Sequence, residues 1–243
     1  MAQNTVTKLF PSHALLSFSM QNIDSLFPGF TQGDFAVVDG LPTILPLSLL
    51  LAVRAQLPCQ LGGLESSVVF VDGGNTFRLY KVSRIAQLHQ LDPTEVLQRI
   101  FISRAFTAHQ MTSMVLDKLE GVALKYDAKL VIVSDIAGLY LDKDVQAEES
   151  REVFSQVAAC LSKSAEENGL IVIATYVPHY RSRLNAFLHA IACARANVVM
   201  SVTKSPHRFG QQLVLAKHPL FRLGRVDFPS EGLTLDRFTG GVA

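Results

Sequence analysis

The stretch Val38-Asp39-Gly40-Leu41-Pro42-Thr43-Ile44-Leu45 sits where a phosphate-binding loop belongs. Before it, Asp34-Phe35-Ala36-Val37-Val38 reads as a buried strand, and after it Pro46 through Gln56 reads as an apolar helix. Strand, turn and helix is the setting of the G-x-x-x-x-G-K-[ST] motif, in which successive backbone N–H groups wrap a phosphate. Here the first glycine position holds Val38, and the Gly-Lys-Thr positions hold Thr43, Ile44 and Leu45. Leu41, Thr43 and Ile44 put bulky side chains into a turn whose backbone must approach the phosphate closely, and Pro42 has no N–H to donate. The setting for phosphate chemistry is kept while the groups that perform it are replaced.

Other residues have chemical potential, each with a plainer reading beside it. Asp135 follows a strand-like run, Lys129 to Ser134, and open α/β sheets place ligands at that end of their strands. The alternative is an aspartate that caps a turn or helix. Asn75-Thr76-Phe77-Arg78 is either a functional strand end or a structural turn, with Thr76 capping a helix and Phe77 packed beneath it; with Gly74 in place of a carboxylate, the structural role is favoured. Tyr180-Arg181-Ser182-Arg183 offers two guanidinium groups and an aromatic ring, which can contact phosphates and stack on bases, or simply begin a solvated helix. Lys204, His207 and Arg208, with Lys217, Arg222 and Arg225 beyond, make the C-terminal part locally basic, suited to a DNA backbone or to plain solubility. His13, His89 and His189 have no partner at catalytic spacing, and Ser134-Asp135 lacks the surroundings of a nucleophile elbow. Cys59, Cys160 and Cys193 are odd in number and far apart, and read as free thiols of a reducing compartment rather than ligands. No metal and no cofactor is expected.

These residues must be positioned by alternating strands and helices. Ser67 to Asp72, Lys129 to Ser134 and Leu170 to Thr175 are short, continuous and rich in β-branched side chains, as strands buried on both faces of a parallel sheet are. Met111, Val115, Leu119, Val122 and Tyr126 form one helical stripe; Val153, Val157, Cys160, Leu161 and Ser164 form another, ended by Asn168-Gly169. Asp92-Pro93 opens a further helix, with Asp92 as N-cap and Pro93 in its first position. Past residue 196, Asn197 to Thr203 and Gln211 to Ala216 read as a hairpin, so an α/β sandwich with an antiparallel edge is expected. A hydrophobic content of 49% against 18% charged residues demands a large core, and a net charge of +1 gives no global attraction to nucleic acid or membrane. No secretory leader is evident, and the apolar run Leu41 to Val53 is too short to span a bilayer, which needs about 20 residues. The expectation is a soluble protein of the cytoplasm, or of the nucleus in a eukaryotic cell, with a short extension over residues 1–19 and a single core domain over 20–243.

Val71-Asp72-Gly73-Gly74-Asn75-Thr76-Phe77-Arg78 resembles a motif of the RecA/RadA-type recombinases, in which a strand ends in Asp-Thr-Glu followed by Gly or Asn and Thr-Phe-Arg. Leu91-Asp92-Pro93, Glu95-Val96-Leu97, Ile100, Ser103-Arg104-Ala105-Phe106 and His109-Gln110 resemble the segments that follow in that family. Asn22-Ile23-Asp24-Ser25-Leu26 with Gly29 and Gly33, and Leu51-Ala52-Val53 with Gln56-Leu57-Pro58, resemble those that precede. The likeness runs from about residue 20 to 228, dense between 68 and 111, without the helix-hairpin-helix domain that precedes the core in full-length RadA.

The resemblance implies a RecA-like three-layer sandwich with a central, mostly parallel sheet. It also shows what has changed. In family terms the Walker A lysine is Ile44, its metal-binding hydroxyl is Leu45, the water-orienting glutamate is Gly74, the Walker B aspartate is Ser134 with Asp135 next to it, and the polar pair after the following strand is Tyr176-Val177. Phosphoryl transfer depends on positioning and electrostatic stabilisation, so losing these together argues against ATP hydrolysis. Tyr180 to Arg183 falls in the family's second DNA-binding loop. Lys217-His218-Pro219 resembles the segment with which one subunit covers its neighbour's ATP, where a lysine would reach the γ-phosphate; the alternative is an exposed edge lysine. The expected protein is a non-catalytic paralogue in a homo- or hetero-oligomer, bound to a RadA-type recombinase or another paralogue, with weak DNA binding. An ATPase with an atypical site, using Asp135 for metal, and an interaction module outside DNA metabolism are the other readings.

Overall fold

A computed structural model describes residues 15–177, 179, 181–206 and 210–229. Eight strands form one sheet in the order β3-β2-β4-β5-β1-β6-β7-β8: β1 (Phe35–Gly40), β2 (Ser67–Asp72), β3 (Ile100–Arg104), β4 (Ala128–Ser134), β5 (Ile171–Tyr176), β6 (Val198–Lys204), β7 (Gly210–Lys217) and β8 (Gly224–Pro229). The six strands β3 to β6 in that order run parallel, and β7 and β8 are added antiparallel. The expected terminal hairpin is therefore two strands of a three-stranded antiparallel edge; β8, Gly-Arg-Val-Asp-Phe-Pro, is too polar to read as a strand without β7 beside it.

Apolar side chains alternate between the two faces and build two cores. On one face Ala36, Val38, Phe70, Leu130, Ile132 and Ile173 meet α1 (Gln21–Leu26), α2 (Ile44–Arg54), α3 (Leu79–Leu88) and α4 (Pro93–Gln98). On the other, Phe35, Val37, Val69, Val131, Val133 and Val172 meet α5 (Ala108–Ser113), α6 (Leu119–Lys125), α7 (Ala147–Asn168) and α8 (Arg183–Arg195). Helix, sheet and helix make the three expected layers.

Local chemistry sets the helix ends. Asp92 accepts from the N–H groups of Thr94 and Glu95, with Pro93 in the first turn, and α7 ends at Gly169 in the left-handed region (φ 61°). The stripe from Met111 is not one regular helix: a π-helical turn, Met114–Lys118, joins α5 to α6. The buried residues Met111, Val115, Leu119 and Ala123 recur every four positions, and a helix of 3.6 residues per turn would rotate such a row off the core. The wider turn returns it. α2 starts two residues before Pro46, which the first turn tolerates because its N–H would have no helical partner.

Candidate functional site at the carboxyl edge of the sheet

The turn from β1 into α2 lies at the edge where the parallel strands end. Val38 is inside β1 and buried, so the loop proper is Leu41, Pro42 and Thr43. Gly40 takes a positive φ of 109°, and a Cβ there would collide with the carbonyl of Val202 on β6. The same close approach lets the Leu41 N–H donate to Val202 O at 2.9 Å. The Ile44 N–H donates to Leu41 O (3.0 Å) and the Leu45 N–H to Pro42 O (3.1 Å). These amides are thus spent on the fold itself. Ile44 is fully buried in the first core, with Leu41 and Leu45 packed against it, and the Thr43 hydroxyl is buried with no hydrogen-bond partner among the described residues.

Asp72, at the end of β2, is a buried hub. Its carboxylate accepts from Thr76 N (2.7 Å), Thr76 Oγ1 (3.1 Å), Phe77 N (3.2 Å) and Arg104 Nε (3.2 Å). Thr76 Oγ1 also bonds the Ser134 hydroxyl. Phe77 packs edge-on to Phe70, as expected, but the helix is capped at Arg78 rather than Thr76, because Asp72 holds Thr76 in the preceding turn. A Cβ on Gly74 would stand 2.8 Å from Asp135 Cβ and 2.9 Å from Thr76 Cγ2, so any side chain there competes with Asp135 for space.

Asp135 adopts the left-handed conformation (φ 52°), which aspartate tolerates better than most residues. Its N–H donates to Thr175 Oγ1 at 2.9 Å, and its Oδ1 lies 2.6 Å from His179 Nε2. That hydrogen bond holds the His179 imidazole above its ordinary range, with burial opposing. Gly138 packs directly over the carboxylate, where a Cβ would stand 3.0 Å from Asp135 Cγ. Asp135 is therefore an anchored aspartate with one oxygen already engaged. Its neighbour Ser134 meets Thr76 instead.

One grouping was missed in the sequence. Asp39, the last side chain of β1 before Gly40, lies 2.6 Å (Oδ2) from His189 Nε2, and Cys193 Sγ is 3.6 Å from the same nitrogen. His189 and Cys193 are one turn apart on α8, and Asp39 follows Phe35 and Val37 onto the face that α8 covers. The Asp39 hydrogen bond, then that from Cys193, pushes the His189 imidazole up to about 10, against a smaller effect of burial. The Tyr176 ring stands edge-on to His189 at 4.9 Å, and its hydroxyl donates to Asn185, on the preceding turn of α8, at 2.7 Å. Burial, then the charge of Asp135, raises the Tyr176 phenol so that it stays protonated. The four-residue spacing of His189 and Cys193 was a readable ligand signal; the third member, Asp39, is 150 residues away in sequence and only the fold supplies it.

The other predicted residues divide. Arg181 and Arg183 are exposed beyond β5, and Lys204 is exposed at the end of β6; because β5, β1 and β6 are parallel neighbours, all three belong to one edge of the sheet. Tyr180, His207 and Arg208 lie outside the described residues. Lys217 is turned back on its own chain: its ammonium donates to the carbonyls of Cys193 (3.2 Å), Ala194 (3.2 Å) and Ala196 (2.5 Å) at the C-terminus of α8. Lys217, read from the sequence either as reaching a neighbour's phosphate or as an exposed edge lysine, is exposed and also caps a helix, because β7 passes beside the unpaired carbonyls that end α8. Among the described residues, no helix is long and apolar enough to cross a membrane.

Comparison with known proteins agrees with this architecture. The Rad51 family model matches residues 45–196. The chain is also 38% identical over 86 residues to the DNA repair and recombination protein RadA of Aeropyrum pernix, a match that covers 35% of this chain and 27% of that protein. The chain thus spans only about a quarter of the length of that relative. With more than half of its residues within the family model and the parallel sheet in place, the chain belongs to the Rad51 family, within the RecA-like fold.

Proposed function

We propose that this chain is a non-catalytic member of the family, a pseudo-ATPase that assists homologous recombination or DNA repair by binding a RadA-type recombinase, another paralogue or DNA. The family match and the name of the Aeropyrum relative support the setting of recombination and repair. The observation that carries the non-catalytic reading is the turn between β1 and α2. A phosphate loop works by leaving N–H groups free to converge on the ligand. Here the Leu41, Ile44 and Leu45 amides already have carbonyl partners, Pro42 has no N–H, and the residue in the lysine position is buried among aliphatic side chains. The reading is strengthened at Gly74, where a water-orienting glutamate would have to displace Asp135.

The alternative, an ATPase using Asp135 for metal, is less well supported, since one oxygen of that carboxylate is held by His179. A lysine reaching a neighbour's phosphate is likewise disfavoured, since Lys217 would have to leave three carbonyls. What remains for function is surface: the sheet-and-helix scaffold for a partner, and Arg181, Arg183 and Lys204 for a nucleic-acid backbone. Isothermal titration with ATP and Mg²⁺ gives no heat at millimolar nucleotide on this reading, and co-purification with a RadA-type recombinase retains the chain. Micromolar ATP binding overturns the first half; failure to retain any recombinase or paralogue overturns the second.

A further inference from the structure

The grouping of Asp39, His189 and Cys193 has no part in the reading above. All three donor atoms lie within 4.8 Å of one another. A nucleophilic thiol relay needs the imidazole to face the thiol with one nitrogen and the carboxylate with the other. Here a single nitrogen, Nε2, faces both Asp39 Oδ2 and Cys193 Sγ. Three donors converging on one another leave a common point between them, which is the arrangement of ligands about an ion.

We infer that Asp39, His189 and Cys193 form a binding site for a single Zn²⁺ ion, at the carboxyl end of β1 beside the turn that replaces the phosphate loop. The donor set selects the metal. Thiolate and imidazole suit zinc, whereas magnesium and calcium take oxygen ligands. With Zn–N near 2.1 Å and Zn–S near 2.3 Å, tetrahedral ligands are about 3.6 Å apart, and the Sγ to Nε2 distance is 3.6 Å. The oxygen is closer, at 2.6 Å, as a hydrogen bond to the ring requires. Binding replaces that proton with the metal and moves the carboxylate outward. Charge also balances: a thiolate and a carboxylate neutralise the ion, so a half-buried position carries no net charge.

The frame around the ligands is already held. Ser182 caps the start of α8 by accepting from Asn185 N, Lys217 caps its end, and Tyr176 ties the first turn of the helix to β5 through Asn185 and packs edge-on to the His189 ring. Such support sets ligand orientation before metal arrives. Three protein ligands leave the fourth tetrahedral position to water or to a donor from a partner. Loading releases the imidazole and thiol protons, so affinity rises with pH.

Cobalt(II) titration of the metal-free protein tests the site through the thiolate-to-cobalt charge-transfer band. The expected result is one equivalent bound, with the band abolished by Cys193→Ser and retained by Cys59→Ser, whose thiol is exposed and remote. His189→Gln and Asp39→Asn each remove a direct ligand and should weaken zinc competition at least as much as loss of an outer-shell partner does, by about a hundredfold or more, while keeping the sulfur band. Zinc should also raise the melting temperature of the unaltered protein, reversibly with chelator, which holds the proposal open to refutation if a variant fails to fold. Absence of the band, its persistence in Cys193→Ser, or an unmoved melting temperature with zinc overturns the assignment.

Discussion

At the scale of single residues, Gly74 and His189 show how position decides what a side chain can do. Gly74 has Asp135 Cβ and Thr76 Cγ2 within 3.0 Å of any added Cβ, whereas Gly121, on the exposed side of α6, has nothing within 4 Å. Gly74→Ala should therefore lose about 1–3 kcal/mol to overpacking, while Gly121→Ala should gain about 0.5–1 kcal/mol from helix propensity. Urea midpoints that shift in the same direction for both would refute the crowding at Gly74. His189 makes a second prediction. Its folded pKa of about 10 lies above the ordinary 6.5, so the pair with Asp39 stabilises the metal-free protein fully below pH 6.5 and loses that contribution as pH climbs through 10. With chelator present, Asp39→Asn should flatten this alkaline decline relative to the unaltered chain. Parallel curves would remove the linkage.

At the scale of elements, α8 is the piece on which the site depends. It carries His189 and Cys193, follows directly on the segment with Arg181, and ends under the ammonium of Lys217. A cation at a helix C-terminus contributes about 0.3–1 kcal/mol. Lys217→Met, which keeps most of the apolar stem, should cost about that much and speed amide exchange in the last turn of α8. An unchanged exchange pattern would return Lys217 to the role of a solvated edge residue. The turn into α2 makes the companion case. Ile44→Lys would bury an ammonium among aliphatic side chains, so it should unfold or strongly destabilise the protein rather than restore nucleotide chemistry; a stable variant that binds ATP would contradict the arrangement of the turn.

At the scale of the whole molecule, the formal net charge is only +1, so the proposed DNA binding requires a local patch of cations such as that near the carboxyl edge. Replacing Arg181 and Arg183 by alanine should weaken single-stranded DNA binding equally for all sequences. The log–log salt slope should fall by about 0.7 for each phosphate that the variant no longer neutralises. Lys204→Ala tests the neighbouring strand end in the same way. Binding that is unaffected by all three places the nucleic-acid surface elsewhere.

The layers of this fold follow from the order of amino acids alone. Val-Val-Phe-Val in β2 and Leu-Val-Ile-Val in β4 can only be satisfied between two helical faces, and Asp92-Pro93 and Asn168-Gly169 mark helix ends by local chemistry that needs no tertiary partner. That Thr43-Ile44-Leu45 holds neither glycine nor lysine was equally legible, since a missing group is visible in one dimension. Other features exist only once the chain is folded. β8 is a strand because β7 offers it a ladder; Lys217 is a cap because the end of α8 falls beneath it; and Asp39 becomes a partner of His189 because β1 and α8 pack together across 150 residues of chain. Each of these depends on segments distant in sequence meeting in space, and such a meeting leaves no spacing or periodicity in the chain to be read.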